Sequence, residues 1–208
     1  MAETKRFFII LTSSLAAIYN TLSRLRRPIM KKFHPFLILI LLSFLVLPWV
    51  TASGAELTLD NAPAKVFFSP KGGCLKGIIK EIEMGTREIL VQAYSFSSTP
   101  IRNALINAQK KGAKVEIIFD QDGQKDQNYK TAKAFSKGGV AVYLDGNHAS
   151  AHNKLIIIDR ETVLTGSFNF TYSAETKNAE NVLIVKSKAL AGLYAENWYS
   201  HVKHSSKY

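Results

Sequence analysis

The chain has 208 residues, 47% of them hydrophobic and 21% charged, values that place it among ordinary globular proteins and fit one domain behind a leader. Its single cysteine, Cys74, excludes an intrachain disulfide, so the core must stabilise itself; the residue reads as a small buried apolar group on the first helix. Much of the net charge of +11 belongs to the leader: residues 56–208 hold 20 basic against 15 acidic side chains, net +5, a bias compatible with a polyanionic substrate but too small to specify one.

Residues 30–55 read as a secretory signal. Met30-Lys31-Lys32 gives a positive start, and the apolar run from Phe36 to Leu47 is broken only by Ser43. Pro48 and the small residues Thr51-Ala52-Ser53-Gly54-Ala55 follow, with Ser53 and Ala55 suited to the −3 and −1 positions of a cleavage site. The run falls short of the roughly 20 apolar residues a spanning helix needs, which favours cleavage over a retained anchor at 36–50. Residues 1–29, with Arg24, Arg26 and Arg27, form an extension ahead of a signal that is complete without them, so Met30 is the preferred start of translation. The expected organisation is an extension at 1–29, a signal peptide or membrane anchor at 30–55, and a catalytic domain at 56–208.

Within that domain, strands alternate with helices. Lys65-Val66-Phe67-Phe68 is a short strand ended by Ser69-Pro70-Lys71-Gly72-Gly73, and Leu75, Ile78, Ile79 and Ile82 recur at helical spacing until Gly85. Glu88 to Tyr94 is a β run. Thr99-Pro100 opens the next helix, with Thr99 as N-cap, Pro100 at the first position, and Ile101, Ala104, Leu105 and Ala108 as its buried stripe. Val115 to Phe119 is apolar on both faces, as a central strand covered by helices must be. The polar loop 120–126 leads to a helix ending near Gly138-Gly139, and Val140 to Leu144 is another strand. Asn181 to Val185 is a late strand, and Lys188 to His201 a terminal helix with Leu190, Leu193, Tyr194 and Trp198 on one face. This alternation predicts an α/β sandwich.

The chemistry concentrates in His152-Asn153-Lys154-Leu155-Ile156-Ile157-Ile158-Asp159 and the nearby Gly166-Ser167-Phe168-Asn169. Residues two apart on a strand share a face, so His152 and Lys154 point together while Asp159 has the opposite parity and reads as a structural hydrogen-bonding residue. The same alternation puts Ser167 and Asn169 on the site side of the turn at Gly166, with Phe168 and Phe170 as core anchors. Taken singly, each piece is ordinary: a loop histidine, a solvated lysine, a common turn composition. Together they supply what phosphodiester cleavage requires, namely an imidazole to attack or carry protons, a fixed cation, and neutral donors for phosphate oxygens.

This is the H-x-K-x-x-x-x-D signature, present once, and the chain resembles the small single-motif bacterial endonucleases of the phospholipase D superfamily. The likeness runs from about Ala64 to the C-terminus. It includes Tyr94-Ser95-Phe96, the helix from Pro100 to Lys111, Gly166 to Thr171, and Glu175-Thr176-Lys177-Asn178-Ala179-Glu180-Asn181. The resemblance implies a phospholipase D-like α/β/α sandwich with a central mixed sheet. It makes His152 the nucleophile of a phosphohistidine intermediate, with Lys154 and Asn169 holding the non-bridging phosphate oxygens and Ser167 nearby. Glu180 matches the family glutamate that hydrogen-bonds the histidine ring and fixes its tautomer.

One motif is half a site. Displacement at phosphorus needs a neutral imidazole to attack and a protonated one to deliver a proton to the leaving oxygen. Two copies across a two-fold axis divide those roles, because protonating one disfavours protonating the other. A homodimer with both His152 side chains in one cleft is therefore expected. No cofactor is required. Asp120-Gln121-Asp122-Gly123 lacks the pattern of a calcium loop and reads as a turn beside the cleft, no Cys/His cluster has zinc spacing, and His148 reads as a solvated loop residue. The leading expectation is a metal-independent, periplasmic or secreted endonuclease for DNA, with RNA as a further nucleic acid substrate and contacts mostly to phosphate. The runner-up is a phospholipase D or cardiolipin-type lipid phosphodiesterase, which should expose an apolar rim near the site; the sequence of 56–208 shows none, and a membrane enters only if 36–50 is uncleaved.

Overall fold

The computed structural model describes residues 54–122 and 125–208. The N-terminal extension, all but the last two residues of the signal-like segment, and Gly123 and Gln124 of the polar loop lie outside the described residues. Chain order runs β1 (Ala64–Ser69), α1 (Cys74–Met84), β2 (Glu88–Ala93), α2 (Thr99–Lys110), β3 (Lys114–Asp120), α3 (Lys125–Lys137) and β4 (Ala141–Asp145). Then come β5 (Lys154–Ile158), β6 (Thr162–Gly166), the short α4 (Tyr172–Thr176), β7 (Glu180–Lys186), α5 (Lys188–His204) and β8 (Ser206–Lys207).

The strands form one sheet in the order β1-β7-β6-β5-β2-β3-β4-β8. β2, β3 and β4 are mutually parallel and joined by helical crossovers, whereas the remaining neighbours are antiparallel. The central strands are mostly apolar on both faces because both sheet faces are covered, with Gln92 and Glu116 as buried polar exceptions. On one face, Ile89, Val91, Ile117, Phe119, Ile156 and Ile158 share a core with Ile78 and Ile82 of α1, Ile101 and Leu105 of α2, and Phe135 of α3. Their alternating neighbours Leu90, Ile118, Leu155, Ile157 and Val163 meet Ala191, Ala195 and Trp198 of α5 on the other. This is an α/β/α sandwich around a mixed sheet, the class the sequence predicts.

Several local expectations change. The cap of α2 is Ser98, whose Oγ accepts from the Ile101 N–H at 3.4 Å, so Thr99 is already inside the helix and Pro100 is its second residue. Ser98 wins because its backbone is extended while the Thr99 backbone has entered the helix. α5 buries Ala191, Ala195 and Trp198 and leaves Leu193 exposed; small residues let the helix approach the sheet closely enough for Trp198 Nε1 to donate to the Val91 carbonyl at 2.9 Å. β6 and the two-residue β8 escape the sequence reading. β6 forms a hairpin with β5 through Asp159 and Arg160, both at positive φ (54° and 56°), closed by Glu161 N–H to Ile158 O at 2.9 Å. That is a type I′ turn, whose twist suits adjoining strands and in which aspartate is well tolerated.

Candidate active site

Antiparallel pairing brings the C-terminal ends of β2 and β6 beside the N-terminal starts of β5 and β7. Lys154 is opposite Ala93, Thr165 opposite Leu155, Gly166 opposite Val182, and Glu180 opposite Ser69. The His152, Gly166–Asn169 and Glu180 segments thus collect at one end of the sheet. Gly166 is required there: its φ is 154°, and a Cβ would lie 2.2 Å from the Asn181 carbonyl oxygen.

Loops at this end are fastened from below. Asn128, fully buried on α3, donates through Nδ2 to the Tyr94 and Asp120 carbonyls at 2.9 and 3.0 Å. Thr131 Oγ1 donates to the Phe96 carbonyl at 2.8 Å, and the Phe170 carbonyl accepts from the N–H groups of Ser97 and Ser98, both at 2.9 Å. Phe168 and Phe170 are buried in the core, as their alternation with Ser167 and Asn169 predicts. Asp120 is itself buried at the end of β3 and accepts from Ala151 N–H at 2.6 Å, so the sequence reading of it as a loop residue beside the cleft is corrected: it anchors the loop that presents His152.

The His152 imidazole is exposed and leans on the Tyr94 ring, with centroids 4.4 Å apart. Lys154 is buried: it lines a small cavity with Ile78, Leu164 and Phe168, and its Nζ donates to the His152 carbonyl at 2.8 Å and lies 5.0 Å from the Tyr94 ring centroid. Burial pushes the ammonium below the ordinary lysine range, and the negative charge of Glu180 partly restores it. Ser167 is exposed, and its Oγ accepts from Asn181 N–H at 3.1 Å, leaving the hydroxyl proton free to donate. Asn169 is half-buried, with its amide oxygen enclosed and unpaired.

One expected contact differs, and the structural role read for Asp159 is found. Glu180 does not hydrogen-bond His152; its Oε1 accepts from Asn178 Nδ2 at 3.0 Å, because the imidazole is turned against Tyr94 and makes no hydrogen bond among the described residues. Asp159 sits at the far end of β5 from His152. Its carboxylate accepts from the N–H groups of Thr86, Arg87 and Glu88 at 3.0, 2.8 and 2.9 Å. Burial alone would raise its pKa, but these backbone bonds outweigh that and hold it below the usual carboxylate range.

Sequence reasoning missed Tyr94, Asn178 and Asn181 as site groups. The strand ending at Tyr94 was visible, but only the pairing of β2 with β5 puts its ring against His152 and Lys154. Two further expectations are overturned. His148 is not simply solvated: its Nδ1 lies 3.1 Å from both oxygens of the buried Asp145 carboxylate, in a cluster with His201 and His204 that has the composition of a metal site despite the absence of a zinc-finger spacing. There is also an exposed apolar rim. Val66 and Phe68 project from edge strand β1, Phe68 paired with Asn181 and Val66 with the exposed Leu183, because α5 does not extend over β1.

Residues 78–201 match the family model described as the cardiolipin synthase, PLD-like domain. The chain is 42% identical over 142 residues to phospholipase D from Rickettsia prowazekii, covering 68% of this chain and 69% of the relative. It is 32% identical over 113 residues to the mitochondrial cardiolipin hydrolase of Chlamydomonas reinhardtii, covering 54% and 50% of the two chains. Among solved structures it resembles Nuc, a phospholipase D family member from Salmonella typhimurium, with a TM-score of 0.69, 33% identity, and coverage of 71% of this chain and 98% of that one. Sheet, helices and matched residues agree: the chain belongs to the phospholipase D superfamily of phosphodiesterases.

Proposed function

We propose that this protein is a metal-independent endonuclease, periplasmic or secreted, that cuts DNA and also RNA through a phosphohistidine on His152 in a site shared by two protomers. The observation that carries the reading is the exposed His152 imidazole beside the buried Lys154 at one sheet end, with Ser167, Asn169 and Glu180 gathered around them. His152 Nε2 or Nδ1 attacks phosphorus, Lys154 and Asn169 hold the non-bridging oxygens, and Ser167 donates nearby. The second protomer's histidine protonates the leaving oxygen and then activates water for hydrolysis of the intermediate. The unbonded imidazole and the enclosed, unpaired amide oxygen of Asn169 support a site that another set of groups completes. Coverage of 98% of the Nuc chain supports the small single-domain type.

A lipid phosphodiesterase is the second reading. It is favoured by the rim of Val66, Phe68 and Leu183, and by relatives named phospholipase D and cardiolipin hydrolase. The deciding experiment sets plasmid nicking and RNA cleavage against cardiolipin and phosphatidylcholine hydrolysis, in EDTA, with wild type and His152→Ala. Nucleic acid cleavage that is lost in the variant and falls steeply with salt is the expected result. Lipid hydrolysis without nicking refutes the endonuclease, and an active monomer in sedimentation refutes the shared site.

A further inference from the structure

Away from the phosphodiester site, three imidazoles converge on one buried carboxylate. Asp145 ends β4 with its side chain fully enclosed. Its Oδ2 lies 2.7 Å from His201 Nδ1, 3.1 Å from His148 Nδ1 and 3.4 Å from His204 Nε2. The three imidazole rings are mutually adjacent, with centroids 4.8, 5.1 and 5.2 Å apart. One ligand atom from each of the four residues falls within 4.8 Å of every other.

Both carboxylate oxygens share these nitrogens, His148 Nδ1 being 3.1 Å from each, so three imidazoles and the Asn147 N–H gather around one carboxylate; a cation at the centre would draw on all four side chains at once. Tetrahedral zinc, with bonds of about 2.0–2.1 Å, needs its ligand atoms roughly 3.3–3.4 Å apart. The four ligand atoms, all within 4.8 Å of one another, would close by up to about 1.4 Å to reach that spacing. Three nitrogens and one oxygen suit zinc or a neighbouring divalent transition metal, and not calcium or magnesium, which require oxygen shells. The supports that orient metal ligands are present too: Asp145 Oδ1 accepts from Asn147 N–H at 3.1 Å, and the Asp145 carbonyl accepts from Gln121 N–H at 3.1 Å.

We propose that Asp145, His148, His201 and His204 form a structural zinc site that clasps the last turn of α5 to the loop carrying His152. In sequence the ligands are two i,i+3 pairs, Asp145/His148 and His201/His204, 56 positions apart, which the sheet and α5 fold together. The bound metal does the work of the disulfide that the lone Cys74 cannot form. It holds the 146–153 segment in addition to the bonds from Ala151 N–H to Asp120 and from Tyr94 N–H to the Asn153 carbonyl. No phosphate-handling residue is a ligand, so the site stands whether the substrate is a nucleic acid or a lipid.

The test uses the untagged full-length chain, depleted with chelator and titrated with Zn²⁺. One Zn²⁺ per protomer, a rise in Tm on binding, and the visible bands of tetrahedral Co²⁺ after cobalt substitution are expected. His148→Gln with His204→Gln, both at partly exposed positions, should weaken Zn²⁺ binding by roughly 100-fold or more, since even supporting residues around metal sites contribute 10–100-fold. Phosphodiesterase activity of the folded variant should persist and be insensitive to chelator, which separates this site from the reaction. Zn²⁺ content no higher in wild type than in the double variant, or an octahedral Co²⁺ spectrum, overturns the proposal. Should the double variant not fold, the cobalt spectrum of the wild-type chain decides alone.

Discussion

Asp159→Asn separates the structural from the chemical role of the motif's last residue. The asparagine keeps the side-chain volume, tolerates the positive φ of 54°, and retains one acceptor oxygen for Arg87 and Glu88 N–H. It replaces the oxygen that accepts from Thr86 N–H at 3.0 Å with an NH₂ that cannot. A hydrogen bond to a charged acceptor is worth about 1.5–3 kcal/mol, and solvent around this turn pulls the value to the low end. The expected loss is about 2 kcal/mol, or about 4–8 °C in Tm for a domain of this size. Because the folded pKa of Asp159 lies below its unfolded value, its stabilisation is complete above the unfolded pKa of about 3.9 and is lost as pH falls through the folded pKa. Urea denaturation from pH 7 to pH 3 should therefore show a constant gap between wild type and variant down to about pH 4 and a closing gap below it. Specific activity of the folded variant should stay within about 3-fold of wild type, since Asp159 is at the opposite end of β5 from His152. A stability gap indifferent to pH, or a folded variant with its activity abolished, refutes the reasoning.

Three other outcomes follow from the same geometry. His152→Ala should lower phosphodiester cleavage by about 10³-fold or more, with Tm within about 2 °C of wild type because the ring is exposed; single-turnover assays and scanning calorimetry check both halves. Gly166→Ala should cost about 3 kcal/mol or more, since its Cβ meets the Asn181 carbonyl at a φ that other residues rarely adopt; denaturant titration measures it, and a loss below 1 kcal/mol contradicts the fit. Glu180→Gln removes the negative charge that sustains the Lys154 ammonium, so Lys154 should deprotonate at lower pH and the alkaline limb of the rate profile should shift downward; an unmoved limb counts against that coupling.

The fold class was legible because its signals are local. Largely apolar runs such as Val115 to Phe119, interrupted only by Glu116, read as central strands, Gly85 ends an amphipathic helix, and Phe168 and Phe170 alternate with polar neighbours. His152, Lys154, Ser167 and Asn169 were legible as a conjunction in one short window, and their spacing carried the family. What escaped was set by competition between neighbours: Ser98 over Thr99 for a cap, Ala191 and Ala195 over Leu193 for the sheet.

Long-range pairing lay beyond any local pattern. Tyr94 reaches His152 only because β2 lies antiparallel to β5, and Glu180 turns to Asn178 only because the imidazole has packed elsewhere. Asp145 and His148 meet His201 and His204 only because α5 crosses back over the sheet and ends beside β4. The sequence determined the elements and the chemistry of one contiguous motif, since periodicity and spacing act over a few residues. The tertiary structure alone decided which distant side chains share a site, because strand order and helix crossing are settled by burial of the whole sheet and leave no mark on nearby residues.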